Sequence, residues 1–130
     1  MKKLMELAEK AYENSYSPYS GIKIGAALIT GSGKIYTGTN IENSSYGATI
    51  CAERSAIAKM VSDGETDINA IAITGDIDDY AYPCGICRQV IYEFMKPDRE
   101  IAVSGRGMAM KVFKLKDLLP NAFEHNRGGK

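Results

Sequence analysis

Apolar residues recur along the chain with two different spacings, which predict helices and strands. From residue 2 to 15, the positions Leu4, Leu7, Ala8 and Ala11 follow the period of about 3.6 residues expected for the buried face of an amphipathic helix. Elsewhere, short apolar and β-branched runs predict strands, and runs of good helix formers after a loop predict further helices. The predicted helices are 2–15, 51–61 and 84–95, with a helical turn at 117–119, and the predicted strands are 22–30, 34–39, 68–74, 101–104 and 111–115.

The segments between these elements contain residues typical of turns and loops. The run from Gly31 to Lys34 indicates a hairpin, whereas 40–49 and 75–83 are predicted to be longer loops. Pro97 is expected to end the helix that precedes it. Strands that alternate with helices in a chain of 130 residues predict one α/β domain over residues 1–130, layered around a single mixed sheet.

Charge and composition disfavour some classes of function. Sixteen basic residues balance sixteen acidic ones, so the chain lacks the basic excess expected of a protein that binds a polynucleotide; only the segment 127–130 is locally basic. The chain contains no apolar run of membrane-spanning length, roughly 18 residues. Its first residues also lack the apolar region of a signal peptide. We therefore expect a cytoplasmic protein with no membrane or nucleic-acid partner.

The cysteines form two short motifs that indicate a metal site. All three cysteines belong to them: Cys51-Ala52-Glu53 and Pro83-Cys84-Gly85-Ile86-Cys87. Clustered cysteines in a chain without an export signal indicate a metal or redox site, and each motif starts at the predicted N-terminus of a helix, where the macrodipole stabilises a thiolate. Three thiolates leave one position of a tetrahedral zinc ion open, as catalytic sites require. His125, the only histidine, lies in a polar tail and is a poor candidate for a fourth ligand.

Glu53 lies two residues after Cys51 on the same predicted helical turn. It can therefore lie beside a metal ion without binding it and move protons between an activated water and a substrate. Arg54 and Gln89 can donate hydrogen bonds to the thiolates, which restores Lewis acidity that three negative ligands remove. Taken alone, Glu53 is also explained by the helix dipole, and the second motif by a redox pair or half of a zinc ribbon. The linked pattern, with about thirty residues between the motifs, is specific for zinc nucleobase deaminases.

The sequence resembles the cytidine deaminase family, in its small homotetrameric branch with three cysteine ligands. The similarity runs from about residue 16 to residue 123. Beyond the two cysteine motifs, it rests on the segments Tyr16-Ser17-Pro18-Tyr19-Ser20, Gly25-Ala26-Ala27, Gly38-Thr39-Asn40-Ile41-Glu42-Asn43 and Leu118-Leu119-Pro120-Asn121-Ala122-Phe123. The resemblance implies a three-layer α/β/α fold with a five-stranded mixed sheet, which agrees with the pattern of elements described above.

The resemblance also implies an activity and a cofactor. The activity is hydrolytic deamination of cytidine and deoxycytidine to uridine and deoxyuridine, with release of ammonia. One zinc ion per subunit would be bound by Cys51, Cys84 and Cys87. Glu53 would be the proton shuttle.

The substrate contacts are likewise taken from the resemblance. Asn40 and Glu42 would bind the ribose hydroxyls, and the backbone N–H of Ala52 would bind the pyrimidine O2. The residues that would reach into a neighbouring subunit of a homotetramer are Ser44, Tyr46 and Phe123. The substrate site would then be complete only in the tetramer.

One position departs from the family pattern. Where the family has a phenylalanine that stacks on the base, this chain has Ile22. Ile22 can cover the base by apolar contact but provides no aromatic stacking, which predicts weaker cytidine binding or a pocket that admits N4-modified cytidines. Three alternatives stay open: a deaminase of a modified cytosine nucleoside such as an N4-substituted cytidine or a blasticidin-type antibiotic, a nucleic-acid editing deaminase, and a zinc-binding module without enzymatic activity.

Overall fold

The computed structural model describes residues 1–125, so the basic segment 127–130 lies outside the described part of the chain. Within this part, five strands and four α-helices follow one another, with a short 3-10 turn at Tyr46–Ala48. The helices are α1 (Lys2–Tyr12), α2 (Ala52–Ser62), α3 (Gly85–Phe94) and α4 (Leu115–Leu118), and the strands are β1 (Ile24–Thr30), β2 (Ile35–Thr39), β3 (Ile68–Gly75), β4 (Met95–Val103) and β5 (Lys111–Lys114). None of the helices in residues 1–125 has the length and apolar character needed to cross a membrane.

All five strands belong to one mixed sheet with the order β2-β1-β3-β4-β5. Strand β1 pairs with β2 and with β3 in antiparallel orientation, β4 pairs with β5 in the same way, and β3 and β4 are parallel. A parallel pair needs a crossover connection, and α3 provides it between β3 and β4. The predicted mixed sheet and its opening hairpin are confirmed.

Helix α1 covers one face of the sheet. Its buried side chains pack against one alanine from each of the three central strands, and these small residues let the helix lie close to the sheet. The residues of this cluster are Leu4, Met5, Ala8, Ala27, Ala72 and Ala102. The helical period predicted for the N-terminal segment therefore marks its buried face.

Helices α2, α3 and α4 cover the opposite face, where the main core lies. Side chains alternate across a strand, so the neighbours of those alanines point to this face, and all of them except Ala26 are large and aliphatic. The sheet contributes Leu28, Ile71, Ile73, Ile101 and Val103, and the helices contribute Ile57, Met60, Ile91 and Leu115. Helices on both faces of one sheet give the three predicted layers.

Helix α2 lies in direct backbone contact with β2 at Gly38. A Cβ atom added at this position would lie 2.5 Å from both the Ala52 carbonyl oxygen and the Ala56 nitrogen. Because only glycine allows this approach, Gly38 sets the height of the first turn of α2 above the sheet. That turn carries Glu53 and follows Cys51 directly, so the packing at Gly38 also positions the candidate site.

The predicted start of the fourth strand, at residue 101, is wrong. The strand begins six residues earlier than expected, at Met95, and contains Pro97. Between the paired positions Ile68–Met95 and Ala70–Glu100, β4 has four residues where β3 has one. A proline is tolerated in such an irregularity because no regular ladder hydrogen bond is required of it. The other predicted boundaries differ from the observed ones by at most three residues, the largest difference being the end of α1.

Candidate active site

Two helix N-termini bring the three thiols together. Cys51 is the N-cap residue of α2 and Cys84 the N-cap residue of α3, as the sequence predicted. Their Sγ atoms lie 3.9 Å apart, and Cys87 completes a cluster in which all three sulfurs lie within 4.8 Å of one another. The Cys84 Sγ also accepts a hydrogen bond from the Cys87 N–H at 3.4 Å, which is the contact of an N-cap side chain. The Cys84 side chain therefore both caps α3 and belongs to the thiol cluster.

The cluster fits a zinc ion in both geometry and chemistry. Zn–S bonds are about 2.3 Å long, so two sulfurs on a tetrahedral ion lie roughly 3.8 Å apart. The observed distance between the sulfurs of Cys51 and Cys84 is 3.9 Å. Among residues 1–125, three sulfurs form this group of donors, and His125 is exposed outside it. An ion held there keeps a fourth position for water, as in catalytic zinc sites.

Arg54 places a positive charge beside the sulfurs. Its Nη2 donates to the Cys51 Sγ at 3.5 Å, which is the contact expected from the sequence. A hydrogen bond from Cys87 and the Arg54 guanidinium together lower the pKa of the Cys51 thiol to about 5, and the contact with Cys51 raises the pKa of Cys87. The positive charge of Arg54 therefore stabilises the thiolate form of one cysteine, Cys51. Ionisation of Cys87 beside the Cys51 thiolate therefore requires further positive charge, which a divalent metal ion provides.

Glu53 lies on the first turn of α2 with only 4% of its surface exposed. Burial raises the pKa of its carboxyl group to about 7, and the neighbouring Cys51 acts in the same direction. A carboxyl group with a pKa near neutrality can both accept and donate a proton, as general acid–base catalysis requires. Its side chain lines the same cavity as Cys51 and Cys84, so it can transfer protons next to the thiol cluster.

A cavity of about 350 Å³ opens over Cys51, Cys84 and Glu53. This volume lies within the range of small-molecule sites, roughly 300–1,000 Å³. Ala52, the first residue of α2, also lines it, and the first N–H groups of a helix have no partner within the helix. The apolar part of the wall includes Ile22, Ile24, Ile50, Ile73 and Ile77. The cavity thus combines an apolar wall with a few directed polar groups.

Asn40 and Glu42 line this cavity and also hold its rim. The Asn40 Oδ1 accepts a hydrogen bond from the Ile24 N–H at 3.0 Å, and its Nδ2 donates to the Ile22 carbonyl oxygen at 2.8 Å. The Ser20 hydroxyl and N–H both donate to the Glu42 carboxylate, which lowers the pKa of Glu42. Both side chains therefore fix the backbone between residues 20 and 24, a role that the sequence pattern did not predict.

Comparison with known proteins decides the family. Residues 1–103 match the family model described as the cytidine and deoxycytidylate deaminase zinc-binding region. The chain belongs to this deaminase family. It is 42% identical to a cytidine deaminase from Sporosarcina psychrophila, over 95% of this chain and 90% of that protein, and 40% identical to a probable cytidine deaminase from Dictyostelium discoideum, over 98% and 92%. A crystal structure of cytidine deaminase from Burkholderia pseudomallei is similar with a TM-score of 0.89 at 42% identity, covering 94% of this chain and 98% of that chain.

Membership of the deaminase family identifies the chain as an enzyme and zinc as its cofactor. The matched zinc-binding region contains both cysteine motifs, and these bring together the three sulfurs of the cluster. The similarity to the Burkholderia pseudomallei deaminase extends over nearly the whole fold, so the predicted α/β/α architecture is confirmed as that of the family.

Three residues expected at the deaminase substrate site lie outside the cavity of their own chain. Tyr46 and Phe123 expose 79% and 72% of their surface, and Ser44 is also exposed. The Tyr46 ring contacts the Tyr19 ring edge-on, with their centroids 6.2 Å apart. Contact of these side chains with a neighbouring subunit stays a prediction.

The structure gives Gln89 a different partner from the predicted thiolate. Its Nε2 donates to the Phe123 carbonyl oxygen at 3.0 Å. A side chain two residues after Cys87 on a helix points away from that cysteine, which explains the difference. In the deaminase fold of this chain, Gln89 therefore anchors the C-terminal segment to α3.

An aromatic wall of the cavity was not predicted from the sequence. Tyr80 and Tyr82 both line the cavity, with their ring centroids 6.1 Å apart, and the Tyr82 ring lies 5.9 Å from that of Phe113 on β5. The signal in the sequence is a pair of tyrosines just before Pro83, within a segment predicted only as a loop. These rings give the deaminase pocket aromatic surface that Ile22 does not provide.

Proposed function

We propose that this enzyme catalyses the hydrolytic deamination of cytidine and deoxycytidine to uridine and deoxyuridine, with release of ammonia. The observation that carries the proposal is the three-sulfur cluster with room for a fourth ligand, placed beside the buried Glu53 in a cavity large enough for a nucleoside. The relatives that match nearly the whole chain are named as cytidine deaminases, which supports a cytosine nucleoside as the substrate.

The protons of the reaction pass through Glu53. Zinc, when bound, lowers the pKa of water and so supplies a nucleophile near neutral pH. Glu53 takes the proton that this water loses and delivers it to N3 of the cytosine ring. The water oxygen bonds to C4 as the N3–C4 double bond opens and N3 takes up the first proton. Glu53 then passes the second proton of the water to the amino group, and the C4–N bond breaks as the C4–O double bond forms and ammonia leaves. A carboxyl pKa of about 7 suits both transfers.

The remaining cavity residues position the nucleoside. The Ala52 N–H, at the start of α2, can donate to the pyrimidine O2. Asn40 Nδ2 has a second hydrogen beyond the one given to the Ile22 carbonyl, and the Glu42 carboxylate has further lone pairs. We assign these two side chains to the ribose hydroxyls and the apolar side chain of Ile22 to the base.

Initial rates over a panel of nucleosides test the proposed substrate. We expect cytidine and deoxycytidine to react fastest and adenosine not to react, as measured by ultraviolet absorbance and by ammonia release. Faster conversion of an N4-substituted cytidine or of blasticidin S than of cytidine would support the modified-nucleoside alternative instead. Absence of conversion by protein that contains one zinc ion per chain would contradict the proposal.

Replacing Ile22 with phenylalanine is expected to raise kcat/KM for cytidine. Ile22 lines the cavity with 46% of its surface exposed, so a larger ring can be placed there without displacing the core. Aromatic stacking adds about 0.5–1.5 kcal/mol beyond burial, so we expect a gain of roughly two- to tenfold. Ile35→Phe, at an exposed position on β2, is the matched control. If Ile22→Phe brings no gain for cytidine, the assignment of this position to the base is wrong.

We further propose that the enzyme is a homotetramer in which each cavity is completed by a neighbouring subunit. A second groove, of about 320 Å³, is lined by Tyr19 and Tyr46 and shares Ser20 and Glu42 with the main cavity. Large apolar side chains exposed at such a place are typical of contacts between proteins. The exposed ring of Phe123 has the chemistry to enter this region from another copy of the chain.

Phe123→Ala tests the shared site. We expect KM for cytidine to rise by about tenfold or more, because a buried aromatic contact of an interface is lost. Light scattering should give the wild-type protein a molar mass close to four chains of 14.1 kDa. A single chain in solution with full activity would contradict the tetramer, and an unchanged KM in the variant would contradict the role of Phe123.

We propose that the enzyme acts in the cytoplasm on free nucleosides rather than on nucleic acid. Its formal net charge of zero offers no general attraction to a phosphate backbone. The three free thiols of the site suit a reducing compartment. Binding of a cytosine-containing oligonucleotide that weakens with increasing salt would contradict this part of the proposal.

A further inference from the structure

We propose that Arg106 is a positioning residue for the substrate cavity, because it clamps the loop 76–83. Arg106 lies outside the lining of the cavity and acts through this loop, which forms part of the wall. The inference rests on the proposed nucleoside deamination in one respect: its first readout is the KM for cytidine.

The loop 76–83 joins β3 to the N-cap residue of α3. Ile77, Tyr80 and Tyr82 of the loop line the cavity, and the zinc-ligand candidate Cys84 follows the loop directly. The position of the loop therefore determines one wall of the cavity and the approach of the chain to a metal ligand. A loop has no helix or strand ladder of its own, so contacts with neighbouring segments must hold it.

Arg106 holds three consecutive residues at the start of this loop. Its Nη1 donates to Asp76 Oδ1 at 2.9 Å, and its Nη2 and Nε donate to Asp78 Oδ1 at 2.8 and 3.2 Å. Between these two carboxylates, the backbone N–H of Arg106 donates to the Ile77 carbonyl oxygen at 2.9 Å. The residue in the middle, Ile77, is the one that lines the cavity. The planar guanidinium with its five donors is suited to such a bridge.

The backbone beside Arg106 also touches the loop directly. The Ala81 N–H donates to the Ser104 carbonyl oxygen at 3.0 Å. A Cβ atom added to Gly105 would lie 2.0 Å from the Asp79 carbonyl oxygen, so the two segments meet without a side chain between them. The segment 104–106 therefore supports the loop at its middle as well as at its start.

The clamped end of the loop is also connected to a second segment of the cavity lining, residues 22–24. The Asp76 N–H donates to the Lys23 carbonyl oxygen at 2.9 Å. Lys23 lies between Ile22 and Ile24, which both line the cavity. A shift of Asp76 would thus move Ile22, the residue assigned to the base, as well as the loop.

The side chains that form the clamp are exposed to solvent, and this determines whether loss of the clamp should affect global stability or only substrate binding. The side chains of Arg106, Asp76 and Asp78 are 54%, 41% and 85% exposed. Ion pairs at such exposed positions contribute little to global stability. Loss of the clamp should therefore free the loop locally and weaken substrate binding, with little change in folding or in the chemical step.

Arg106→Gln tests the clamp. We expect KM for cytidine to rise about fivefold, with kcat changed by less than about twofold and one zinc ion per chain retained. Amide hydrogen exchange over 76–83 should become faster, since local opening is easier. Arg106→Lys should raise KM by less than Arg106→Gln does, because lysine can form an ion pair with one carboxylate but cannot bridge two.

Lys116→Gln is the matched control, because Lys116 forms an exposed ion pair with Asp98 at 3.2 Å and neither residue lines the cavity. This control should leave both KM and exchange over 76–83 unchanged. Unchanged KM and exchange in Arg106→Gln would overturn the proposal, and so would a fall in kcat with KM unchanged. If the wild-type protein converts no nucleoside, the exchange measurement alone decides on the clamp, so failure of the proposed function is distinguished from failure of this inference.

Discussion

Replacing Glu53 with glutamine is expected to lower kcat for cytidine by about 10²–10⁴-fold while zinc stays bound. Glutamine keeps the size and polarity of the buried side chain, but it can neither take a proton from water nor deliver one to the base. Glu53 is not part of the three-sulfur donor group, so the zinc content should stay at one ion per chain. Steady-state kinetics and metal analysis of the same sample provide the measurement.

Glu9→Gln is the matched control for this variant. Glu9 is an exposed glutamate on α1, on the other face of the sheet from the cavity, and its replacement should leave kcat unchanged. Turnover near the wild-type level in Glu53→Gln would show that another group transfers the protons. A loss of zinc in that variant would show that the carboxylate is needed for metal binding.

Replacing Cys84 with serine is expected to remove both zinc and activity while α3 stays intact. Serine is a favoured N-cap residue, so it can accept the hydrogen bond that the Cys84 Sγ now accepts from the Cys87 N–H. It cannot replace the thiolate as a ligand. Loss of a residue that hydrogen-bonds to a metal ligand lowers metal affinity by roughly 10–100-fold. Loss of a direct ligand should therefore weaken zinc binding by more than about 100-fold. Metal analysis after dialysis, together with circular dichroism, tests this expectation.

Chelation of the wild-type protein provides the control for this second prediction. Removal of zinc should abolish turnover, and addition of zinc should restore it in the wild type but not in Cys84→Ser. Full activity of metal-free wild-type protein would contradict zinc dependence. Unfolding of Cys84→Ser would show that the sulfur, rather than the N-cap position alone, stabilises α3.

The sequence predicted the positions of those reactive groups whose local structure is determined by neighbouring residues. Cys51 follows a predicted loop and precedes a run of good helix formers, and Cys84 follows a second predicted loop, so both positions at helix N-termini could be predicted locally. The same holds for Glu53 and Arg54, which lie on the first turn of α2. Periodicity likewise predicted α1 and the strands of the mixed sheet, because one face of each is buried.

Contacts between distant segments could not be predicted from such local patterns. Strand β4 begins at Met95 because it pairs with Ile68, and no feature of residues 95–100 alone indicates that partner. Gln89 donates to the carbonyl of a residue 34 positions away, and the side chain of Arg106 reaches an aspartate 28 positions away. Hydrophobic period and helix propensity contain no information about which distant polar groups meet, so the loop 76–83 was predicted but its contacts with Arg106 were not.

Conversion of cytidine by the zinc-containing wild-type protein is the most direct test of the proposed function. The measurement is the simultaneous determination of uridine by chromatography and of ammonia by a coupled assay, with zinc quantified in the same sample. We predict one ammonia released for each uridine formed, at a rate that Glu53→Gln reduces by about 10²–10⁴-fold. Protein with one zinc ion per chain that forms no uridine from cytidine, or that forms it equally fast without Glu53, would contradict the account.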